Sequence, residues 1–228
     1  MHTYGQTLEH YKYMQLIAMV YLTLVIVTIV FAGRLVSLSG YPLAVTTTLM
    51  PLRFSIPDIF TEVYGYRNTR RLIWFGIFCE LLFLALSYFL LHIFKANHTI
   101  QMHYEFVFSR LSRIFIACLL AHVTSNFINV YCISKWKILV KGKYFFFRSL
   151  GATFIGLTIF TLVTLFILFW HTIPSNILIK LIITTIAVKI IVEPIFALLA
   201  TLVTLFLKKA EGTDIYDIGI SYNPFSLS

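Results

Sequence analysis

The chain has 228 residues, 59% of them hydrophobic, 17% aromatic and only 12% charged, with a formal net charge of +9. A soluble domain carries roughly 25% charged residues, so this deficit and a mean hydropathy of +0.88 exclude an ordinary soluble globule and indicate a polytopic membrane protein. The basic balance suits loops held on one side of a bilayer and contact with anionic lipid, and does not require nucleic acid.

A spanning helix needs about 20 mostly apolar residues. The polar lead MHTYGQTLEHYKYM lacks the pattern of a cleaved signal peptide. The first candidate span runs from about Met14 to Phe31 and ends at Ala32-Gly33-Arg34, followed by Ser37, Ser39 and Gly40. The second, about Tyr41 to Tyr64, contains Pro42, Pro51, Pro57, Arg53, Asp58 and Glu62. A helix so interrupted belongs inside a bundle, where neighbours satisfy the freed backbone groups. Tyr64-Gly65 reads as its stop. The third runs from about Leu72 to Phe94, polar only at Glu80 and His92, and a looser stretch from Lys95 to Glu105 reads as a loop bearing His98 and His103.

The fourth span, about Phe106 to Ile133, holds Arg110, Arg113, His122, Ser125, Asn126 and Asn129. His122, Asn126 and Asn129 share one helix face. The fifth, about Tyr144 to Trp170, opens with Arg148 and carries Gly151 and Gly156, small residues that admit close helix contact. The sixth, about Ile177 to Leu207, contains Lys180, Lys189 and Glu193-Pro194 and is stopped by Lys208-Lys209. The basic loops all follow even-numbered spans, which predicts six spans over residues 1–209, both termini cytoplasmic, and a polar cytoplasmic tail over 210–228.

Charges at mid-membrane cost roughly 2.5–3.5 kcal/mol each on insertion scales. Arg110 and Lys180 sit where snorkelling relieves that cost. Asp58, Glu62, Arg113, Lys189 and Glu193 do not, and Asp58 and Glu62, four residues apart, share a helix face. Two readings stay open: a polar pocket for a small hydrogen-bonding ligand, or internal ion pairs between helices. His122 reads as a satisfied interior residue. No GxSxG, HExxH or Walker A pattern is present, and Cys79, Cys118 and Cys132 form no CxxC pair, so neither an enzyme nor a cofactor or metal site is indicated.

The run D-I-F-T-E-V-Y-G-Y-R-N-T-R-R-L-I-W, Asp58 to Trp74, resembles the signature of the queuosine precursor transporter family, also called the VUT family of vitamin uptake transporters. Asp58, Glu62, Tyr64, Gly65, Arg70, Trp74 and Gly76 match it. Ser112-Arg113, Ser125-Asn126 and Asn129-Val130 resemble its fourth helix, Arg148 and Thr153 the start of its fifth, and Lys189 and Pro194 its last. Asn126 stands where the family usually has Gln, and Asn129 where it has Asp.

The resemblance implies an all-α protein of six transmembrane helices, similar to the substrate-binding component of energy-coupling-factor importers. It also implies inner-membrane uptake of a 7-deazaguanine such as preQ0 or preQ1, or queuine, with a separate ATPase module as a candidate partner. The candidate substrate-binding or gating residues are Asp58, Glu62, Arg113, Asn126, Asn129, Lys189 and Glu193. Arg70, Arg71 and Arg148 are the candidate cytoplasmic anchors or gate. Transport of another small vitamin-like molecule, or a membrane enzyme using Asp58 and Glu62, are the alternatives.

Overall fold

The structure, a computed structural model, describes residues 11–32, 34–38, 41–93, 97–169 and 172–226. The polar lead 1–10, Gly33, Ser39, Gly40, Lys95 and Trp170, and the side chains of Arg110 and Ser112, lie outside the described residues. Helix dominates: α1 (Met14–Val30), α2 (Met50–Ile93), α3 (His98–Leu139), α4 (Phe145–Phe169) and α5 (Ser175–Glu211). Two short strands, β1 (Leu35–Leu38) and β2 (Tyr41–Ala44), pair antiparallel between α1 and α2, and a 3-10 turn, Val45–Thr48, leads into α2. Among the described residues, the Val45–Ile93 segment and α3, α4 and α5 are long and apolar enough to cross a membrane; α1 is apolar but shorter.

The secondary structure of α2 runs without interruption for 44 residues, yet it is not one rod. Gly65 has φ 81° and ψ 166°, a region essentially closed to other residues. The Thr61 and Thr69 hydroxyls lie 3.0 Å apart, and Arg53 meets Glu80 at 3.0 Å. On a straight helix those pairs would be separated by about 12 and about 40 Å at 1.5 Å per residue. The chain therefore reverses at Gly65, and residues 50–64 and 66–93 pack back on each other as two limbs. The expected helix stop at Tyr64-Gly65 is this reversal.

Two expectations change. The second helix begins at Met50 rather than near Tyr41, because Pro42 has no amide proton to continue a helix and Tyr41–Ala44 pairs with Leu35–Leu38 as a ribbon instead. His98 and His103 lie in α3, not in a loop: residues 98–105 contain neither Gly nor Pro, so nothing ends the helix there. At 42 residues α3 is about 63 Å long, roughly twice the hydrocarbon thickness of a bilayer.

Many helix faces leave large apolar side chains exposed, among them Phe75, Phe78 and Phe89 on α2 and Ile183, Ile191 and Ile195 on α5. The interior mixes apolar clusters with many polar groups, and Arg53, Asp58, Glu62, Glu80, His122 and Asn129 are fully buried. This inversion fits a multi-pass membrane protein.

The segment after α5 is ordered over the end of the bundle that holds Gly65. Glu211 accepts from the backbone amides of Lys12 (3.0 Å) and Tyr13 (2.8 Å) at the start of α1. Asp217 accepts from the amide of Tyr66 at 3.0 Å, where the second limb of α2 begins. Each carboxylate thus faces the positive end of a helix. The carbonyls of Asn223 and Pro224 accept hydrogen bonds from Arg70 and the Trp74 indole.

A Cβ built on Gly65 would lie 2.9 Å from Ile215 and 3.0 Å from Asp217. Gly65→Ala is expected to lower folding stability by about 1–3 kcal/mol from backbone strain alone. It should also free the tail, read as a lower melting temperature in detergent and faster proteolysis after Glu211.

Candidate functional site

The buried polar groups stack in layers along α4, starting at Arg148. In the first layer Glu62, on the turn of α2 just before the reversal, receives the Arg148 guanidinium in a two-pronged pair, at 2.8 and 3.1 Å. Lys208 of α5 adds a third contact at 2.7 Å. Lys137 of α3 donates to the Glu62 carbonyl at 2.8 Å, to Asp214 at 2.7 Å and to the Ile215 carbonyl at 2.6 Å. Asp214 also binds Lys208 at 2.7 Å. Partial burial pushes the Asp214 carboxyl up, but the ammonium groups of Lys137 and Lys208 outweigh it and hold it below the usual carboxylate value. One carboxylate and the tail thus gather α2, α3, α4 and α5.

One turn deeper, Asp58 accepts from Asn129 of α3 and from Ser149 (2.6 Å) and Thr153 (2.8 Å) of α4. These donors are neutral and come from spacing: Ser149 and Thr153 are four apart on α4 and face the same side. Gly156 continues that face. A Cβ there would lie 2.9 Å from Phe54 and 3.1 Å from Asn129, so only glycine lets α4 approach α2 and α3 this closely.

Beyond lies a second ionic cluster. Arg53 meets Glu80 at 3.0 Å, His122 at 2.8 Å and the Thr28 hydroxyl at 3.0 Å, while His122 also contacts Glu80 at 2.8 Å and Tyr21 at 2.7 Å. On the α4–α5 side, Lys189 donates to Thr161 at 2.7 Å. Its ammonium and the Arg53 guanidinium both lie against the Phe160 ring, 5.5 and 5.7 Å from the centroid.

Between α4 and α5 runs a cleft of about 360 Å³, walled by Phe147, Gly151, Phe154 and Thr158 on one side and by Lys189 and Glu193 on the other. Lys189 and Glu193 are one turn apart on α5 and so share a face. Glu193 is buried, and neither of its carboxylate oxygens has a hydrogen-bond partner among the described residues. The nearby Thr153 hydroxyl gives its proton to Asp58 instead. The Thr158 hydroxyl is also unmatched. A buried carboxylate without partners is costly, and this one lines an opening between two helices. A smaller cavity of about 50 Å³ lies on the other side of Lys189, bounded by Thr46, Thr47, Thr164 and Thr185 beneath the β-ribbon.

The structure brings most of the sequence candidates into this stack, but in three different roles. Asp58 and Asn129 bond each other, Glu62 pairs with Arg148, and Lys189 and Glu193 face the cleft. Asn126 is buried and donates to the His122 carbonyl at 3.0 Å, with its own oxygen unmatched. Arg70 is buried under the tail, whereas Arg71 is exposed. Arg113 stands apart: it is exposed and reaches the Ile167 carbonyl and Thr172 hydroxyl at 3.4 Å.

Sequence reasoning missed the Arg53–Glu80–Tyr21 association and the inward turn of Lys137 and Lys208. Arg53 and Glu80 are nearly equidistant from Gly65, a symmetry that a reversal at that glycine makes meaningful. Lys137 and Lys208 carried no signal beyond their place at helix ends.

A bundle of apolar helices with charge clusters and a cleft inside is the make-up of a multi-pass membrane protein. Residues 44–204 match the family model described as "Putative vitamin uptake transporter", and the chain belongs to that family. No curated protein and no solved structure matches the chain.

Removing one partner of a buried ion pair leaves the other charge uncompensated, typically at 3–5 kcal/mol. Arg148→Leu is expected to destabilise the fold by about 3 kcal/mol. Glu62→Leu with Arg148→Leu should be milder than the sum of the single changes. A thermal-melt double-mutant cycle in detergent checks this; strict additivity would show that the pair is not coupled.

Proposed function

We propose that this chain takes up a queuosine precursor, a 7-deazaguanine of the preQ0 or preQ1 type, across the cell inner membrane, and that the substrate is seated in the α4–α5 cleft. The family supports vitamin uptake. The signature from Asp58 to Trp74 supports the narrower substrate class. The single observation that carries the site is Glu193, a buried carboxylate with both oxygens unmatched in a cleft of ligand size.

The chemistry of a deazaguanine suits that wall. Its ring N–H and exocyclic amino group form a two-donor edge that a carboxylate accepts in parallel. Its carbonyl accepts a hydrogen bond from an ammonium such as that of Lys189, one turn away. Its flat ring packs against Phe147 and Phe154. Asp58 and Glu62 are different: one is saturated by three neutral donors, the other by two cations. They act as a helix tie and as a gate lock, which also argues against acid–base catalysis by the pair.

In this reading the polypeptide crosses the bilayer six times, by α1, the two limbs of α2, α3, α4 and α5. The Gly65 reversal, the turn after α3 and the tail share the end rich in arginine and lysine, which the positive-inside rule assigns to the cytoplasm. The β-ribbon lies toward the outer side. On this proposal the chain works as a substrate-binding component similar to those of energy-coupling-factor importers, and the energy comes from an ion gradient or from a separate ATPase module.

The test is uptake. Cells unable to make queuosine, expressing the chain and supplied with preQ0 or preQ1, should recover queuosine in their tRNA. Failure with the protein well expressed in the membrane would overturn the assignment. Glu193→Gln is expected to weaken substrate binding by about tenfold or more, the worth of a charge-assisted hydrogen bond, with the melting temperature of the unliganded protein unchanged or raised.

A further inference from the structure

The Arg53–Glu80–His122–Tyr21 cluster plays no part in the cleft, and its geometry contains a contradiction. His122 Nδ1 lies 2.8 Å from Arg53 Nη2, which can only donate, and 2.8 Å from Glu80 Oε1. A bare Nδ1 suits Arg53 but sets a lone pair against the carboxylate. A protonated Nδ1 suits Glu80 but sets its proton against the guanidinium. Neither neutral tautomer satisfies both contacts. On the opposite edge, Nε2 lies 2.7 Å from the Tyr21 hydroxyl, which can donate or accept and so accommodates either state. Two further atoms are left over: Glu80 Oε2 and Arg53 Nε have no hydrogen-bond partner among the described residues, although both side chains are fully buried. The cluster thus leaves one buried acceptor, on Glu80, and one buried donor, on Arg53, unmatched among the described residues.

From this we infer that His122 is a proton-carrying site that couples substrate uptake to the proton gradient; the inference rests on the transport reading above. Unprotonated, Nδ1 accepts from Arg53 and Nε2–H donates to Tyr21. When a proton arrives from the outer aqueous phase it binds Nδ1, which turns to donate to Glu80, and Arg53 loses its hold on the ring. Release of the same proton to the cytoplasm restores the first state. No bond other than the N–H forms or breaks. The exchange biases which limb of α2 the histidine of α3 grips: residues 50–64 through Arg53, or residues 66–93 through Glu80.

The charged and titratable groups facing the site come from every element around it. They are Tyr21 of α1, Arg53 and Glu80 of the two limbs, and Cys118 one turn earlier on α3. Lys189 of α5 shares the Phe160 ring of α4 with Arg53. That ring joins the two sites. When substrate engages Lys189 at the cleft, the ring's other cation, Arg53, feels the change, and its grip on His122 changes with it. A metal cation is a poor occupant, because the Arg53 guanidinium already fills the cationic position beside Glu80.

The experiment uses the full chain in proteoliposomes with labelled preQ0, whose nitrile carries no charge of its own near neutral pH. With an inward proton gradient, wild-type accumulation should approach about tenfold per pH unit for one proton per substrate. A trapped pH dye should report proton entry on addition of preQ0. His122→Gln keeps an acceptor and a donor for Arg53 and Glu80 but cannot titrate. It should abolish gradient-driven accumulation and the dye signal, yet leave preQ0 exchange at equal concentrations on both sides within about threefold of wild type, about 0.7 kcal/mol.

Wild-type uptake that ignores the gradient and moves no protons would overturn the proposal while leaving the transport reading intact. Wild-type coupling by His122→Gln would overturn it too. If His122→Gln fails to fold, Glu80→Gln, which removes the charged acceptor of the protonated ring, takes its place, and wild-type coupling in that variant would overturn the proposal. No preQ0 movement in any form would remove the transport reading as well.

Discussion

The carboxylate of Glu62 is the point on which the bundle closes. It belongs to the last turn of one limb of α2, receives both prongs of Arg148 from α4 and the ammonium of Lys208 from α5, and its carbonyl holds Lys137 of α3. Four helical segments thus converge on one residue. Buried ions are poor sources of net stability, because the lost hydration rivals the attraction. Their value is positional: a guanidinium that accepts only one geometry sets the depth and rotation of two helices at once. The reversal at Gly65 comes three residues later, so the pair and the turn together set where the second limb begins.

The acids beyond Lys208 extend the same logic. Glu211 sits at the first amides of α1, Asp217 at the first amide of the second limb, and Asp214 between Lys137 and Lys208. All three carboxylates meet positive charge or a helix N-terminus. The tail therefore acts as a lid over the ion cluster rather than as a loose end. A gate at this face cannot open by separating Glu62 from Arg148 alone; Lys208 and the tail must move with them, because they share the same partners.

Much of the framework was legible from residues. Apolar runs located the helices, the Tyr64-Gly65 stop located the reversal, and Pro51, Pro57, Asp58 and Glu62 marked the first limb of α2 as interior. Asn129, a candidate beside Asp58 in the sequence, does bond it, whereas Thr153, which only resembled the start of the family's fifth helix, joins the same carboxylate without having been a candidate. The part that stayed hidden depends on contacts between distant segments. Arg113 has the same hydropathy cost as Arg148, yet one lies exposed and the other buried; periodicity alone cannot tell which end of a long helix leaves the bundle. His98 and His103 looked like loop residues because polarity marks a surface without distinguishing a helix that overshoots the membrane from a turn. The β-ribbon rests on the pairing of Leu35–Leu38 with Tyr41–Ala44, and no alternation of apolar and polar residues around Pro42 announces it.

The groups left unmatched are more informative than those that are paired. Asp58 and Glu62, the most conspicuous carboxylates in the chain, have protein donors on both oxygens. Among the described residues Glu193 has both oxygens unmatched and Glu80 one, and they fall in two separate places, one beside the α4–α5 cleft and one inside the α1–α2–α3 cluster. An uncompensated buried oxygen costs about 1–3 kcal/mol, a penalty that persists where a transient partner repays it. Phe160, flanked by Lys189 and Arg53, lies between these two places. Two open acceptor sites joined through one ring and two cations form the minimal arrangement in which occupancy of one alters the energy of the other. The polar interior is thus divided between a half whose groups are paired across helices and a half that keeps unmatched oxygens among the described residues.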